Sequence, residues 1–100
     1  LARVLAIENV EAQIPFNIVL PDGVFDGSGL WKEIKKERSR SHGISPKALE
    51  KHYQNRNLMK VRVESRDVAE SVLFLLSGRS AKTTGCMLTV DGGLREAFPR

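Results

Sequence analysis

Two short apolar runs, each closed by a turn pair, divide the chain. Phe16-Asn-Ile-Val-Leu20 leads into Pro21-Asp22-Gly23, and Cys86-Met-Leu-Thr-Val90 leads into Asp91-Gly92-Gly93. Runs of this length bounded by Gly, Pro and Asp predict strands covered on both faces. Pro21 has no N–H, so sheet pairing is expected to stop there. Around the strands the spacing becomes helical. Leu1, Val4, Leu5, Glu8 and Ala12 predict a helix over residues 1–12, ended near Gln13 because Pro15 pushes Ile14 toward extended geometry. Leu30 to Arg40 predicts a short helix with Leu30, Trp31 and Ile34 as its apolar face, closed by His42-Gly43. Ser45-Pro46 suits an N-cap and first position, and Leu49, His52, Tyr53 and Arg56 share one side of the helix that follows. Asn57 to Val63 alternates like an extended connector. Ser65 is placed to cap a last helix, Arg66 to Ser77, with Val68, Val72, Leu73, Leu75 and Leu76 as a wide apolar face and Gly78 just beyond it.

This order, helix, strand, two helices, helix, strand, is that of an α/β domain with a parallel sheet. In such sheets ligands bind past the carboxyl ends of the strands. The turn at Asp22-Gly23 would leave backbone groups there for a flat polar ligand such as a carboxamide; an ordinary surface turn is the commoner use of such a stretch. Phe25-Asp-Gly-Ser-Gly29 has the composition of a hinge, and the two helices behind it suggest a lid over a site. Gly27-Ser28-Gly29 does not make a phosphate cradle: the third glycine of a dinucleotide fingerprint is missing and no Lys-Ser/Thr follows.

Composition narrows the class. One hundred residues allow one small domain, and 41% hydrophobic with 28% charged residues is the balance of a globular protein. No apolar run approaches a membrane span and no signal peptide opens the chain, so a cytoplasmic protein is expected. The start on Leu1, already inside a helix, suggests a chain cut from something longer. Cys86 has no internal disulfide partner. The net charge of +4 is concentrated: Lys32 to Arg66 carries eleven Lys/Arg against four Glu. These charges stand beside Glu at helical spacing, as in Glu33/Lys36, and the two aromatics, Trp31 just before the stretch and Tyr53 within it, are not interleaved with them as a stacking platform would be, which favours a solvated helix face over a nucleic-acid surface. His42 and His52 have no carboxylate or thiol at ligand spacing, so no metal site is expected. His52 and Tyr53 can reach a substrate hydroxyl or simply pack, and Trp31 is better suited to anchoring the lid than to stacking.

Two blocks carry a resemblance. Asn17-Ile-Val-Leu-Pro-Asp-Gly-Val24, together with Asp67-Val-Ala-Glu-Ser-Val-Leu-Phe-Leu-Leu-Ser77 and Thr84-Gly-Cys-Met-Leu-Thr-Val-Asp-Gly-Gly93, resembles the carboxyl-terminal part of short-chain dehydrogenases/reductases. The resemblance implies the end of a Rossmann-type doubly wound parallel sheet, with residues 1–25 as helix, strand and nicotinamide turn, 26–63 as a helical substrate lid, 64–93 as last helix and strand, and 94–100 as tail. It implies NAD or NADP as cofactor, NAD the first choice, held at Pro21, Asp22, Gly23 and Val24, with a Val24 backbone group on the carboxamide. Trp31, His52 and Tyr53 become lid residues facing a small substrate. The family's Ser, Tyr and Lys and its glycine-rich turn would all precede Leu1, so the segment alone would lack catalytic residues and would leave apolar faces and strand edges exposed. Homo-oligomer contacts are implied through 66–77 and 86–90; a non-catalytic oligomerisation module is the alternative, as is another sugar, polyol or ketoacyl substrate. Gly27-Ser-Gly-Leu-Trp31, Leu49-Glu-Lys-His-Tyr53 and Ala97-Phe-Pro-Arg100 are further similar to the dehydrogenase half of bifunctional rhamnulose-1-phosphate aldolase/alcohol dehydrogenases, which implies lactaldehyde as substrate.

Two positions depart from the family. Asp22 stands where Gly is usual, and Asp26 stands where a Thr often bonds the cofactor. An ionised Asp26 only accepts hydrogen bonds, and its charge would favour the oxidised, cationic ring. Asp26→Asn in the intact protein is therefore expected to lower the ratio of NAD⁺ to NADH affinity by about two- to fivefold. Paired dissociation constants measure this, and an unchanged ratio removes the charge argument.

Overall fold

Residues 16–18 and 83–86 meet because their polar groups complete one another. The Phe16 amide donates to Thr84 Oγ1 at 3.0 Å, and the Gly85 amide donates to the Phe16 carbonyl at 2.7 Å. The Asn17 side chain closes the junction, donating to the Thr83 carbonyl at 3.2 Å and accepting from the Cys86 amide at 2.9 Å. Strands β1 (Ile18–Pro21) and β2 (Met87–Val90) then pair in parallel, from Ile18 opposite Met87 to Pro21 opposite Val90. This computed structural model describes residues 1–24 and 29–99, the side chains of 29–31 excepted.

The strand ends at Pro21, as expected, though not for want of its donor. The Ile18 amide donates to the Cys86 carbonyl at 2.9 Å and the Asp22 amide to the Val90 carbonyl at 3.3 Å, so even-numbered donors face β2. Pro21 falls at a position whose N–H would point away from β2, and its missing donor costs this ladder nothing. Neither strand is buried on both faces as expected. Ile18, Val19 and Leu20 are half-buried, and β2 alternates, with Met87 and Thr89 exposed and Leu88 and Val90 half-buried. The cause is that α4 (Ser65–Leu76) covers both strands, while no other described helix packs extensively on the sheet.

The helices follow the sequence with local corrections. Helix α1 covers only Ala2–Glu8, because the Asn9 side chain bonds the Leu5 carbonyl at 2.8 Å and competes with continuation; turns occupy 9–13. Helix α2 is Gly29–His42 and ends at Gly43, which takes φ +66°. Helix α3 is Pro46–Arg56, with Ser45 Oγ accepting from the Ala48 amide at 3.1 Å as its composition predicted. The cap of α4 is Glu64, not Ser65: the Glu64 amide donates to Asp67 Oδ2 at 2.8 Å in a reciprocal capping box. Lys32, Glu33, Lys36, Glu37, Arg38 and Arg40 of α2 are exposed, the solvated face expected.

The stretch after α3 is a tight turn rather than an extended connector. The Lys60 amide returns to the Asn57 carbonyl at 3.2 Å, Lys60 takes φ +55°, and buried Asn57 bonds both polar groups of the Val61 backbone at 2.8 and 3.1 Å. The turn then sits on the loop after β2, where the Leu58 amide donates to Gly93 at 2.8 Å and the Met59 amide to Gly92 at 3.1 Å. Val63 completes the join through a parallel bridge to Val24.

Buried apolar side chains among the described residues are Ala2, Leu49 and Val63, while Val4, Ile7 and Val10 near α1 and Leu73 and Leu76 of α4 stay exposed. The radius of gyration, 16.4 Å, exceeds the ~13 Å of a self-contained 100-residue domain. The accessible area of 7489 Å² exceeds the roughly 5,700 Å² usual for this mass.

The Asn57–Gly92 contact generates a stability prediction. Gly92 has φ +70°, and a Cβ there would lie 2.5 Å from Asn57 Cγ. Gly92→Ala in the intact protein is expected to cost about 2 kcal/mol or more, strain and clash together. Denaturant midpoints measure it, and an unchanged midpoint would mean that the turn does not seat on this loop.

Candidate functional site

The register of β1 and β2 fixes where a ligand can approach. Both strands end at one edge, so the Asp22-Gly23 and Asp91-Gly92-Gly93 turns lie side by side at the carboxyl end of the sheet. Between them lies a narrow space of about 10 Å³, room for about one water, lined by Asp22, Gly23, Tyr53, Asn57, Val63 and Asp91 among others. Gly23 takes φ +70°, which a side chain rarely adopts, and no atom of the described residues lies within 4 Å of where its Cβ would be. The backbone is open to a flat group on that side.

Asp22 does not fill this space. Its carboxylate is drawn aside to pair with the Arg56 guanidinium at the end of α3. That guanidinium lies 4.6 Å from the centroid of the Tyr53 ring, in cation–π geometry. The Tyr53 hydroxyl in turn accepts from Arg38 Nη1 of α2 at 2.5 Å. Lys35 of α2 pairs with Glu50 of α3, and Arg62 reaches Glu50 at 3.5 Å and Glu64 at 3.6 Å, so the helical hairpin is also braced on another side. Asp91 is buried, and its Oδ1 accepts from the Gly93 amide at 2.7 Å, which holds the second turn closed.

The residues named from sequence separate as follows. Pro21, Asp22, Gly23 and Val24 form one corner at the sheet edge, with Pro21 exposed and the other three half-buried. Tyr53 lies beside that corner, half-buried. His52 is exposed and turned toward His42, their ring centroids 5.8 Å apart. Trp31 belongs to the first turn of α2. Its side chain and all of Asp26 lie outside the described residues. Sequence reasoning missed Arg56 as the partner of Asp22, although its place three residues after Tyr53 on one helix side was the available signal. It also missed Asn57, for which the Gly92-Gly93 pair was the hint.

A parallel α/β edge with an open turn and a helical hairpin over it defines a nucleotide-binding, Rossmann-like architecture. The family model for enoyl-(acyl carrier protein) reductase matches residues 1–95. The chain belongs to the short-chain dehydrogenase/reductase family. It is 46% identical over 101 residues to an uncharacterized oxidoreductase, YuxG, of Bacillus subtilis (strain 168), covering 100% of this chain and 15% of that protein. It is 35% identical over 95 residues to D-erythrulose reductase of Gallus gallus, covering 93% of this chain and 33% of the relative. Among solved structures, sorbitol-6-phosphate 2-dehydrogenase SrlD of Erwinia amylovora superposes with a TM-score of 0.78 at 26% identity, over 92% of this chain and 36% of that one. The chain thus spans a third or less of the two sequence relatives.

Gly23→Ala tests the turn. Nothing crowds the added methyl, so only the positive φ is penalised, about 1–2 kcal/mol. The intact protein is expected to lose that much stability, and less than Gly92→Ala loses. Equal losses in denaturant titrations would show that the open side of Gly23 is filled.

Proposed function

We propose that these residues form the carboxyl-terminal part of an NAD(P)-dependent oxidoreductase acting on a small hydroxylated carbonyl or alcohol. The observation that carries it is the corner Pro21-Asp22-Gly23-Val24, open on the Gly23 side and lying under α3 at the carboxyl edge of a parallel pair. The residues fit a nicotinamide end: the Gly23 backbone is approachable among the described residues, and the Asp22 carboxylate is engaged by Arg56. Bound there, the nicotinamide would supply or accept hydride. The corner would orient it through backbone groups of residues 22–24, and the family resemblance adds Asp26 as a cofactor contact. Residues 26–63 would be the substrate lid, with Trp31, His52 and Tyr53 as wall residues and Tyr53 the one beside the corner. The catalytic Ser, Tyr and Lys would come from the part of the protein preceding this segment. The solvated, charged faces of α2 and α3 and the uncovered faces of α4 and β2 suit a cytoplasmic homo-oligomer contacting through 66–77 and 86–90.

The substrate proposed first is lactaldehyde released in rhamnose breakdown, with this unit as the dehydrogenase half of a two-part enzyme. The relative lengths support it: nearly the same segment makes up 15% of the Bacillus oxidoreductase and 33% of the erythrulose reductase, so the former is more than twice as long. The second reading, a free-standing reductase of a sugar or polyol, is supported by the names of the erythrulose and sorbitol-phosphate relatives.

Assay of the intact protein decides. It is expected to turn over NADH or NADPH with lactaldehyde at a kcat/KM at least tenfold above those for erythrulose, sorbose and sorbitol 6-phosphate. A reversed order selects the second reading. No turnover with any carbonyl and no nucleotide binding leaves the non-catalytic oligomerisation module.

A further inference from the structure

The chain has two histidines, His42 and His52, and the fold brings them together. His42 is the last residue of α2, and His52 lies in the second turn of α3. Both residues are exposed, and their ring centroids lie 5.8 Å apart at an interplanar angle of 38°. Aromatic contacts favour an offset stack or an edge-to-face arrangement. A 38° tilt is neither, so ring packing does not account for the pair. We propose that His42 and His52 form a binding site for a divalent transition-metal ion, with zinc as the fitting ion, bridging α2 and α3.

Geometry, charge and ligand chemistry agree. A neutral imidazole offers one nitrogen lone pair and suits zinc, copper and nickel, whereas magnesium and calcium take oxygen ligands. Two imidazoles sharing one tetrahedral ion at bonds of about 2.1 Å have ring centroids roughly 5 Å apart. The observed 5.8 Å is within a small rotation of either exposed side chain. His42 stands at the negative, C-terminal end of the α2 dipole, which favours a cation there. Arg38 and Arg56, each one turn from a histidine along its helix, are drawn to the Tyr53 hydroxyl and the Asp22 carboxylate. Among the described residues no third His, Cys, Asp or Glu joins the pair in a metal-holding group, so water would fill the remaining positions. An ion with two protein ligands exchanges readily, unlike one in a closed four-ligand structural site. Neither histidine has a ligand neighbour along the sequence; folding of the hairpin makes each the other's partner.

Titration of the intact, chelator-treated protein with Zn²⁺ tests this. The wild type should bind one ion per chain that His42→Ala and His52→Ala each bind at least roughly tenfold more weakly. His52→Cys keeps a zinc ligand and should retain the ion where alanine does not. Zn²⁺ should slow hydrogen exchange across 39–52 of the wild type, leave 18–21 and 87–90 unchanged, and lose this effect in both alanine variants. Mg²⁺ at the same concentration should do neither, and Cu²⁺ should bind more tightly than Zn²⁺. Because both residues are exposed, the metal-free denaturant midpoints of the variants should match the wild type, which separates a lost ligand from a damaged fold. Where an alanine variant does not fold, His52→Cys decides: zinc retained supports the site, zinc lost overturns it. Equal zinc affinity in the wild type and both alanine variants, or a loss in only one of them, overturns the bridging site. The readout needs neither nucleotide nor carbonyl substrate, so it stands apart from the function proposed above.

Discussion

Everything at the candidate site follows from the in-register parallel pairing of β1 with β2. Parallel strands end at the same edge, so the turns after Pro21 and after Val90 become neighbours although 69 residues separate the strands' paired positions. The register is set before the ladder begins. Asn17 satisfies the Thr83 carbonyl and the Cys86 amide with one side chain, and Phe16 exchanges bonds with Thr84 and Gly85. A slip by one residue would break these bonds and turn each side chain of β1 to the opposite face.

Once the two turns are adjacent, the helical hairpin has a place to sit. The glycines after β2 accept the amides of Leu58 and Met59, and Gly92 gives the Asn57 side chain room that no other residue type would leave. That contact sets the end of α3, and the end of α3 carries Arg56 to Asp22. A buried polar turn and an exposed ion pair thus meet at the same end of α3. The two differ in what their loss costs: buried hydrogen bonds are costly to lose, exposed ion pairs are not.

Family membership sharpens the meaning of the two departures. At position 22 the Asp carboxylate pairs with the Arg56 guanidinium, 34 residues on in the sequence, at the end of α3. The pair joins the first turn to the end of the helical hairpin.

Local chemistry made much of this legible beforehand. Ser45-Pro46 set the start of α3, Gly43 the end of α2, and the apolar runs before Asp-Gly pairs marked both strands, since caps, positive-φ glycines and short hydrophobic runs act over a few residues. Matched blocks gave the family. What stayed hidden depended on residues brought close only by folding. Pro21 fits the last position of the ladder because of which side its missing donor faces, Glu64 takes the cap from Ser65 because Asp67 answers it, and Asp22 meets Arg56 because β1, α3 and β2 converge on one edge. The chain's order determined the elements and their kind; their shared edge, and therefore the meeting of α3 with the turn after β1, existed only once the strands had paired.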